Sequence, residues 1–278
     1  MTPVKIDLSE YVHSGEGANG ESFFHRSNPL IMLKLYNTSA PSELTLREFE
    51  TSKKAFEAGL PVPEPGDLVT DGERTGIRFA RIPGKISFAR AIGNEPERVE
   101  EFASRFGKLC LKLHSMHLDR SKFQSIRATY LDLLEKSPFF TPAQKEKLAA
   151  FIEAAPDSDA PCHGDLQFGN AVMAGDGTEY FIDLGDLGYA HPCFDLGMVM
   201  ITGLYNDEEF TRTAFHMNNA TAALFWEFFV KAYFGSDIPR AEVEEMLKPY
   251  AGLKTLIIER DTKRCFPEFH ALLDDIMR

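Results

Sequence analysis

The chain has 278 residues, 44% hydrophobic and 26% charged, which is the balance of a globular protein and enough to bury a sizeable core in one two-lobed domain or two small ones. Forty-two acidic against thirty basic side chains give a net charge of −12, a sign that repels phosphate backbones, so nucleic acid is not an expected partner. No stretch approaches the ~18 uninterrupted apolar residues of a membrane span, and the start MTPVKIDLSEYV has no basic segment leading into an apolar one, so membrane insertion and secretion are not expected and the expected compartment is the cytoplasm.

From Tyr11 to Tyr36 the pattern is that of strands. An apolar start leads into the glycine cluster GEGANG at 15–20, then ESFFHR, a turn at Ser27-Asn28-Pro29 and the apolar run LIMLKLY, which predicts two successive hairpins. Pro41-Ser42 opens a helix in which Leu44, Phe49, Ala55 and Phe56 sit among charges, and Gly59 with Pro61 stops it. Two more strands, 66–70 and 76–82, flank a turn at Asp71-Gly72. Residues 1–82 are therefore expected to form an antiparallel sheet with one helix inserted after its third strand.

Beyond Pro83-Gly84 the periodicity becomes helical, over 97–116, 123–135, 142–154, 208–215, 220–234 and 240–258, with a last helix ending the chain. One β interruption stands out: AVMAGDGTEYFIDLGD at 171–186, where Gly175-Asp176-Gly177 joins two short strands. There is no internal repeat. The expected class is α+β, with a small sheet-bearing lobe at 1–82 and a helical lobe at 83–278.

Gly15, Gly17 and Gly20 fit GxGxxG. That pattern also marks dinucleotide-binding turns, but those need a helix next, and here Glu21 to Arg26 alternate like a strand. Glycines between two strands suit a flap whose backbone amides approach nucleotide phosphates; the plain alternative is an ordinary hairpin turn. Lys34 lies inside the apolar run LIMLKLY, where a charge is costly without a partner or a task. Glu48, fourteen residues on and facing the sheet if Leu44 and Phe49 mark the buried side of the helix, is the best-placed carboxylate to steady it, with Glu43 and Glu50 as rivals.

The stretch CHGDLQFGN at 162–170 sets His163, Asp165 and Asn170 in the H-x-D-x-x-x-x-N spacing of a phosphoryl-transfer loop. There the aspartate takes the acceptor proton and the asparagine holds magnesium. Asp183-Leu184-Gly185 stands on the returning strand, eighteen residues after Asp165, where a second metal ligand belongs. His163 reads as a residue that orients the loop, and His114 and His191 as core or loop histidines. The cysteines, Cys110, Cys162, Cys193 and Cys265, contain no CxxC. They read as free thiols, and a composite zinc site of Cys162, His163, His191 and Cys193 lacks any ligand spacing.

With these residues in place, the sequence resembles the aminoglycoside phosphotransferase and choline kinase superfamily, of protein-kinase-like fold. The resemblance is carried by HGDLQFGN at 163–170, IDLGDLGYAHPCFDLG at 182–197, GLPVPEP at 59–65 and RIPGK at 81–85, while no motif marks the tail beyond Leu204. It implies Asp165 as catalytic base, Asn170 and Asp183 as magnesium ligands, and Lys34 with Glu48 as the phosphate-anchoring pair. It further implies Asp195 as a brace for the loop, Ala80 and Ile82 as backbone partners of adenine, and Phe79 as the back of that pocket. The implied cofactors are ATP or GTP with Mg2+. The implied acceptor is a hydroxyl of a small molecule: an amino alcohol, amino sugar, aminoglycoside or sugar. For a cationic acceptor, Asp186, Asp207, Glu208, Glu209, Glu259, Asp261 and Glu268 are candidate acids.

Gly164 stands where protein kinases carry arginine, and only eleven residues separate Asp183 from Asp195, with no APE following. Both departures favour the small-molecule branch, although the complete GxGxxG is more kinase-like. A peptide-directed kinase and a catalytically silent nucleotide-binding module are the rival readings, and the sequence specifies no oligomeric state.

Overall fold

The structure is a computed structural model that describes residues 2–17 and 19–278. The chain forms two compact units, one reaching Ile86 and including Val172–Asp186, the other made of Ser87–Ala171 and Leu187–Arg278. The hairpin expected in the helical lobe thus belongs to the first unit. Gly175 N–H donates to the Pro83 carbonyl at 2.8 Å and Phe181 N–H to that of Pro61 at 2.7 Å, contacts between distant segments that no local pattern announces.

The first unit is built on β1 (Val4–Lys5), β2 (Tyr11–Gly17), β3 (Gly20–His25), β4 (Ile31–Tyr36), β5 (Pro65–Thr70) and β6 (Thr75–Ala80), in the order β1-β5-β6-β4-β3-β2. The expected antiparallel sheet is in fact mixed, because β1 pairs parallel with β5, Val4 opposite Val69 and Lys5 opposite Thr70. Two residues are too few to show a period of two, so this edge strand leaves no sequence signal. What holds it is the neighbouring Ile6, buried with Tyr11, Phe23, Leu33, Leu35 and Val69 on one sheet face. The opposite face takes Tyr36, Leu68, Ile77 and Phe79, packed with Phe49 of α1 (Ser42–Glu57). Alternation along β4 therefore sends Leu33 and Leu35 to one face and puts Lys34 with Tyr36 on the helix face. The hairpin β7 (Ala171–Met173) and β8 (Glu179–Phe181) belongs to a separate small sheet, turning through Gly177 at φ +85°.

The second unit is helical: α2 (Phe88–Asn94), α3 (Val99–His114), α4 (Ile126–Lys136), α5 (Pro142–Ala154), α6 (Cys193–Leu204), α7 (Glu208–Phe215), α8 (Asn219–Phe234), α9 (Arg240–Leu253) and α10 (Thr255–Thr262). Short helical segments at Pro267–His270, Ala271–Leu273 and Asp274–Met277 end the chain. Phe106 of α3 meets Phe225 and Phe229 of α8 at centroid separations of 5.6 and 5.7 Å. Thr141 and Gln144 form a reciprocal capping box at the start of α5. A three-stranded ribbon, Gly188–Tyr189 between Gln124–Ser125 and Pro161–Cys162, delivers the chain to His163.

The helix expected over 240–258 divides at Lys254 into α9 and α10, and α2 and α6 were not anticipated. The reason for α6 is clear. Every residue from Cys193 to Gly203 is buried, Asp195 and Thr202 among them, so the helix has no exposed polar face and no amphipathic period to read. A Cβ at Gly197 would come within 2.6 Å of the Tyr250 backbone carbon and 2.7 Å of Ala251 N, so α6 and α9 cross in near backbone contact. Gly197→Ala should cost about 1–3 kcal/mol through overpacking; an unchanged urea midpoint would contradict this close crossing.

Candidate active site

In the first unit, β4 and α1 bring Lys34 and Glu48 together, and the hairpin strand β8 runs on to Asp183. Lys34 Nζ donates to both Glu48 oxygens at 2.9 Å and to Asp183 Oδ1 at 2.8 Å. The Tyr36 hydroxyl donates to Glu48 Oε2. Burial works to lower the Lys34 pKa, but the Asp183 and Glu48 carboxylates outweigh it and hold it above the ordinary lysine value. Burial pushes the Glu48 carboxyl upward against the pull of Lys34. The three short contacts hold a charged lysine between two carboxylates. Of the three rival glutamates, Glu48 is the buried one, at 4% exposure. Asp183 itself adopts φ +66°, a left-handed conformation that is unusual for a non-glycine residue. Its side chain remains 48% exposed.

Gly17 pairs with Gly20 at the tip of the β2-β3 hairpin, and Ala18 between them lies outside the described residues. A Cβ on Gly20 would run into the Leu35 carbonyl, whereas at Gly15 and Gly17 it would meet only Ser22 Oγ at 3.3 Å and Gly20 O at 3.5 Å. Sheet packing thus accounts for Gly20, and not for the other two. Ala80 ends β6, its N–H donating to the Glu64 carbonyl at 2.8 Å, so the amide is engaged in the fold. Ile82 follows in the half-buried loop, and Phe79 is packed in the helix-side core.

In the second unit, the loop after Cys162 is anchored from beneath. His163 is fully buried, and its backbone N–H donates to Asp195 Oδ2 at 2.5 Å, while Gly164 N–H donates to Asp195 Oδ1 at 2.8 Å. Gly164 sits at φ +86°, which gives a backbone reason for glycine at this place. Asp165 N–H approaches His163 Nδ1 at 3.4 Å. Asn170 Nδ2 donates to the Asp165 carbonyl at 3.0 Å and to its carboxylate Oδ2 at 2.9 Å. With the nitrogen so engaged, the amide oxygen is the atom Asn170 has to offer a hard cation.

Asp195, in the first turn of α6, is buried completely. Burial pushes its carboxyl up, yet the hydrogen bond and charge of His114 together with Lys254 outweigh this and hold it below the ordinary value. His114 Nε2 lies 3.2 Å from Asp195 Oδ2, and its Nδ1 lies 2.8 Å from the Tyr233 hydroxyl. Burial holds the Cys162 thiol well above its ordinary pKa, and Sγ donates to the Ala190 carbonyl at 3.4 Å.

The phosphotransferase enzyme family matches residues 15–225, more than half of the sequence. The chain belongs to that family. No curated protein matches it in sequence. Among solved structures, a thermostable mutant of aminoglycoside phosphotransferase APH(4)-Ia in ternary complex with ADP and hygromycin B is 14% identical with a TM-score of 0.65, over 97% of this chain and 94% of that one. A choline/ethanolamine kinase family protein from Mesorhizobium loti is 19% identical with a TM-score of 0.55, over 96% of this chain and 85% of that one. ADP-bound aminoglycoside phosphotransferase APH(2'')-Ib is 15% identical with a TM-score of 0.56, over 97% and 92%. At these identities the likeness is one of fold, here a mixed sheet with a helical C-terminal region.

For this phosphotransferase-family enzyme, most of the acids considered for a cationic acceptor already have structural work. Asp186 pairs with Arg47 at 3.0 Å, and Asp207 caps α7 through Phe210 N at 2.7 Å. Glu208 holds Arg212 and Asn219 N, Glu259 holds His270 at 2.7 Å, and Asp261 holds Arg260. Glu209 and Glu268 are exposed. Lys254 was missed altogether. It is wholly buried, and its Nζ donates to the Gly164 carbonyl at 2.9 Å. The one available signal was a lysine inside the apolar stretch YAGLKTLII, the same signal that singled out Lys34.

Proposed function

We propose that this enzyme transfers the γ-phosphoryl group of ATP, or GTP, to a hydroxyl of a small molecule. The observation that carries the reading is the state of Asp165: its carboxylate accepts from Asn170, and its loop hangs from a buried carboxylate through two backbone N–H groups. An aspartate so held has a fixed direction in which to receive an acceptor hydroxyl. The family membership and the ADP bound by the related folds support a nucleotide donor.

In this reading Lys34, steadied by Glu48, anchors the α- and β-phosphates, and Gly15, Gly17 and Gly20 bring backbone over them. Ala80 through its carbonyl and Ile82 through its amide take the adenine. Asn170 and Asp183 are the residues that would hold Mg2+; both offer oxygen, the donor that hard cations take. Bound there, magnesium supplies neutralisation of phosphate charge. Asp165 orients the hydroxyl and receives its proton as the new P–O bond forms and the bond to the nucleoside diphosphate breaks. With a loose transition state, positioning matters more than the strength of the base.

The test is a transfer screen with labelled ATP against amino alcohols, amino sugars, aminoglycosides and sugars, with a peptide array beside it. Label in a small molecule and none in peptides is expected; label in peptides alone would make it a protein kinase. Asp183→Ala should weaken nucleotide binding in the presence of Mg2+ by roughly tenfold or more while sparing the metal-free affinity, as read by titration calorimetry. Equal Mg2+ dependence in the variant would remove Asp183 from the metal site.

A further inference from the structure

Lys254 occupies the junction of α9 and α10 with none of its surface exposed. A buried ammonium is costly unless charge and hydrogen bonds answer it, and an apolar side chain of similar size would fill the space without that cost. Its partners therefore show what the charge is for. Nζ donates to the Gly164 carbonyl at 2.9 Å and stands 5.4 Å from the centre of the Tyr130 ring. Burial pulls its pKa down, but Tyr130, Asp195 and Asp165 outweigh this and hold it above the ordinary lysine value.

The opposite side of the same residue is held by a buried anion. Gly164 N–H donates to Asp195 Oδ1 at 2.8 Å, so both backbone groups of Gly164 are held by fully buried side chains of opposite charge, one from α6 and one from the α9–α10 junction. The glycine between them is at φ +86°, a conformation that must be kept by its surroundings. The peptide whose carbonyl Lys254 holds is the one that leads into Asp165. Turning that peptide plane would swing the Asp165 carboxylate, and a displacement of about 1 Å at a reacting group costs about 10²-fold in rate.

We infer, on the phosphoryl-transfer reading above, that Lys254 is a positioning residue for Asp165, clamping the Gly164 carbonyl against the pull of Asp195 so that the carboxylate points at the acceptor hydroxyl. No motif of the catalytic loop contains it; it lies ninety residues further along the chain. Its action is on orientation in the transition state, so turnover and not nucleotide affinity should respond to its loss.

The experiment compares wild type, Lys254→Met and Lys254→Arg in phosphoryl-transfer kinetics and in amide hydrogen exchange. For Lys254→Met, kcat should fall by about 10–100-fold with KM for ATP within about twofold, and exchange should quicken across 163–170 while α3 stays protected. Lys254→Arg, which keeps charge and donors, should recover a measurable part of kcat. A kcat for Lys254→Met within about threefold of wild type would overturn the inference, as would kcat and KM failing together with exchange rising throughout the unit. Should Lys254→Met not fold, Lys254→Gln takes its place under the same criteria. If wild type transfers phosphate to no acceptor, the functional reading falls, and local against unchanged exchange at 163–170 still decides the clamp.

Discussion

Asp165→Asn should abolish most phosphoryl transfer, lowering kcat by roughly 10²–10⁴-fold, the range for loss of a positioned general base, while ATP binds as before. The substitution is nearly isosteric. The bond that Asn170 Nδ2 makes to Asp165 Oδ2 has an oxygen to go to in either residue, and the backbone anchors at His163 and Gly164 do not involve the side chain. What disappears is the capacity to take a proton. Calorimetric titration with ATP should give the wild-type affinity, and single-turnover transfer to the acceptor found in the screen should be slowed. An Asp165→Asn enzyme with full activity would refute the assignment.

The second large effect is on stability. Asp195→Ala should destabilise the fold by about 3–5 kcal/mol, the cost of breaking a buried charge network. Removing this carboxylate leaves the N–H groups of His163 and Gly164, the His114 ring and the Lys254 ammonium with one buried partner fewer. The urea midpoint should fall accordingly, and near wild-type stability would contradict the network.

The pH dependence follows from the direction of the Asp195 shift. Its pKa in the folded protein is held below the ordinary aspartate value, so its stabilisation is fully present above the unfolded pKa of about 4 and is lost as pH falls through the folded value. Asp195→Asn should therefore lie below wild type at neutral pH and converge on it in acid, in denaturant titrations run from pH 7 down to 3. A constant gap over that range would show that Asp195 is not ionised in the fold.

The candidate site residues were legible because their spacing is local or their placement is costly. His163, Asp165 and Asn170 lie within eight positions, and a lysine in the middle of an apolar strand is conspicuous whatever surrounds it. The preference for Glu48 over Glu43 and Glu50 followed from which side of α1 carries Leu44 and Phe49, and Glu48 is the one that meets Lys34. The candidate acids for a cationic acceptor were the weakest reading. Carboxylates that cap helices or pair with arginine look no different in sequence from carboxylates that bind a ligand.

The sequence by itself determined the α+β class, the strand-rich beginning, the helical remainder and the order of the phosphotransferase motifs, since hydrophobic period and short spacing are properties of neighbouring residues. Tertiary structure alone decided that α6 is a buried helix, that β1 closes a mixed sheet, and that the hairpin of β7 and β8 belongs to the first unit. It also decided why residue 164 is glycine and residue 254 lysine. Each depends on atoms far away in the chain: Tyr250 against Gly197, Thr70 beside Lys5, and two buried charges meeting on the backbone of one residue, Gly164, from α6 and from the α9–α10 junction. A buried charge is tolerated only where another segment answers it, and which segment that is becomes visible only once the chain is folded.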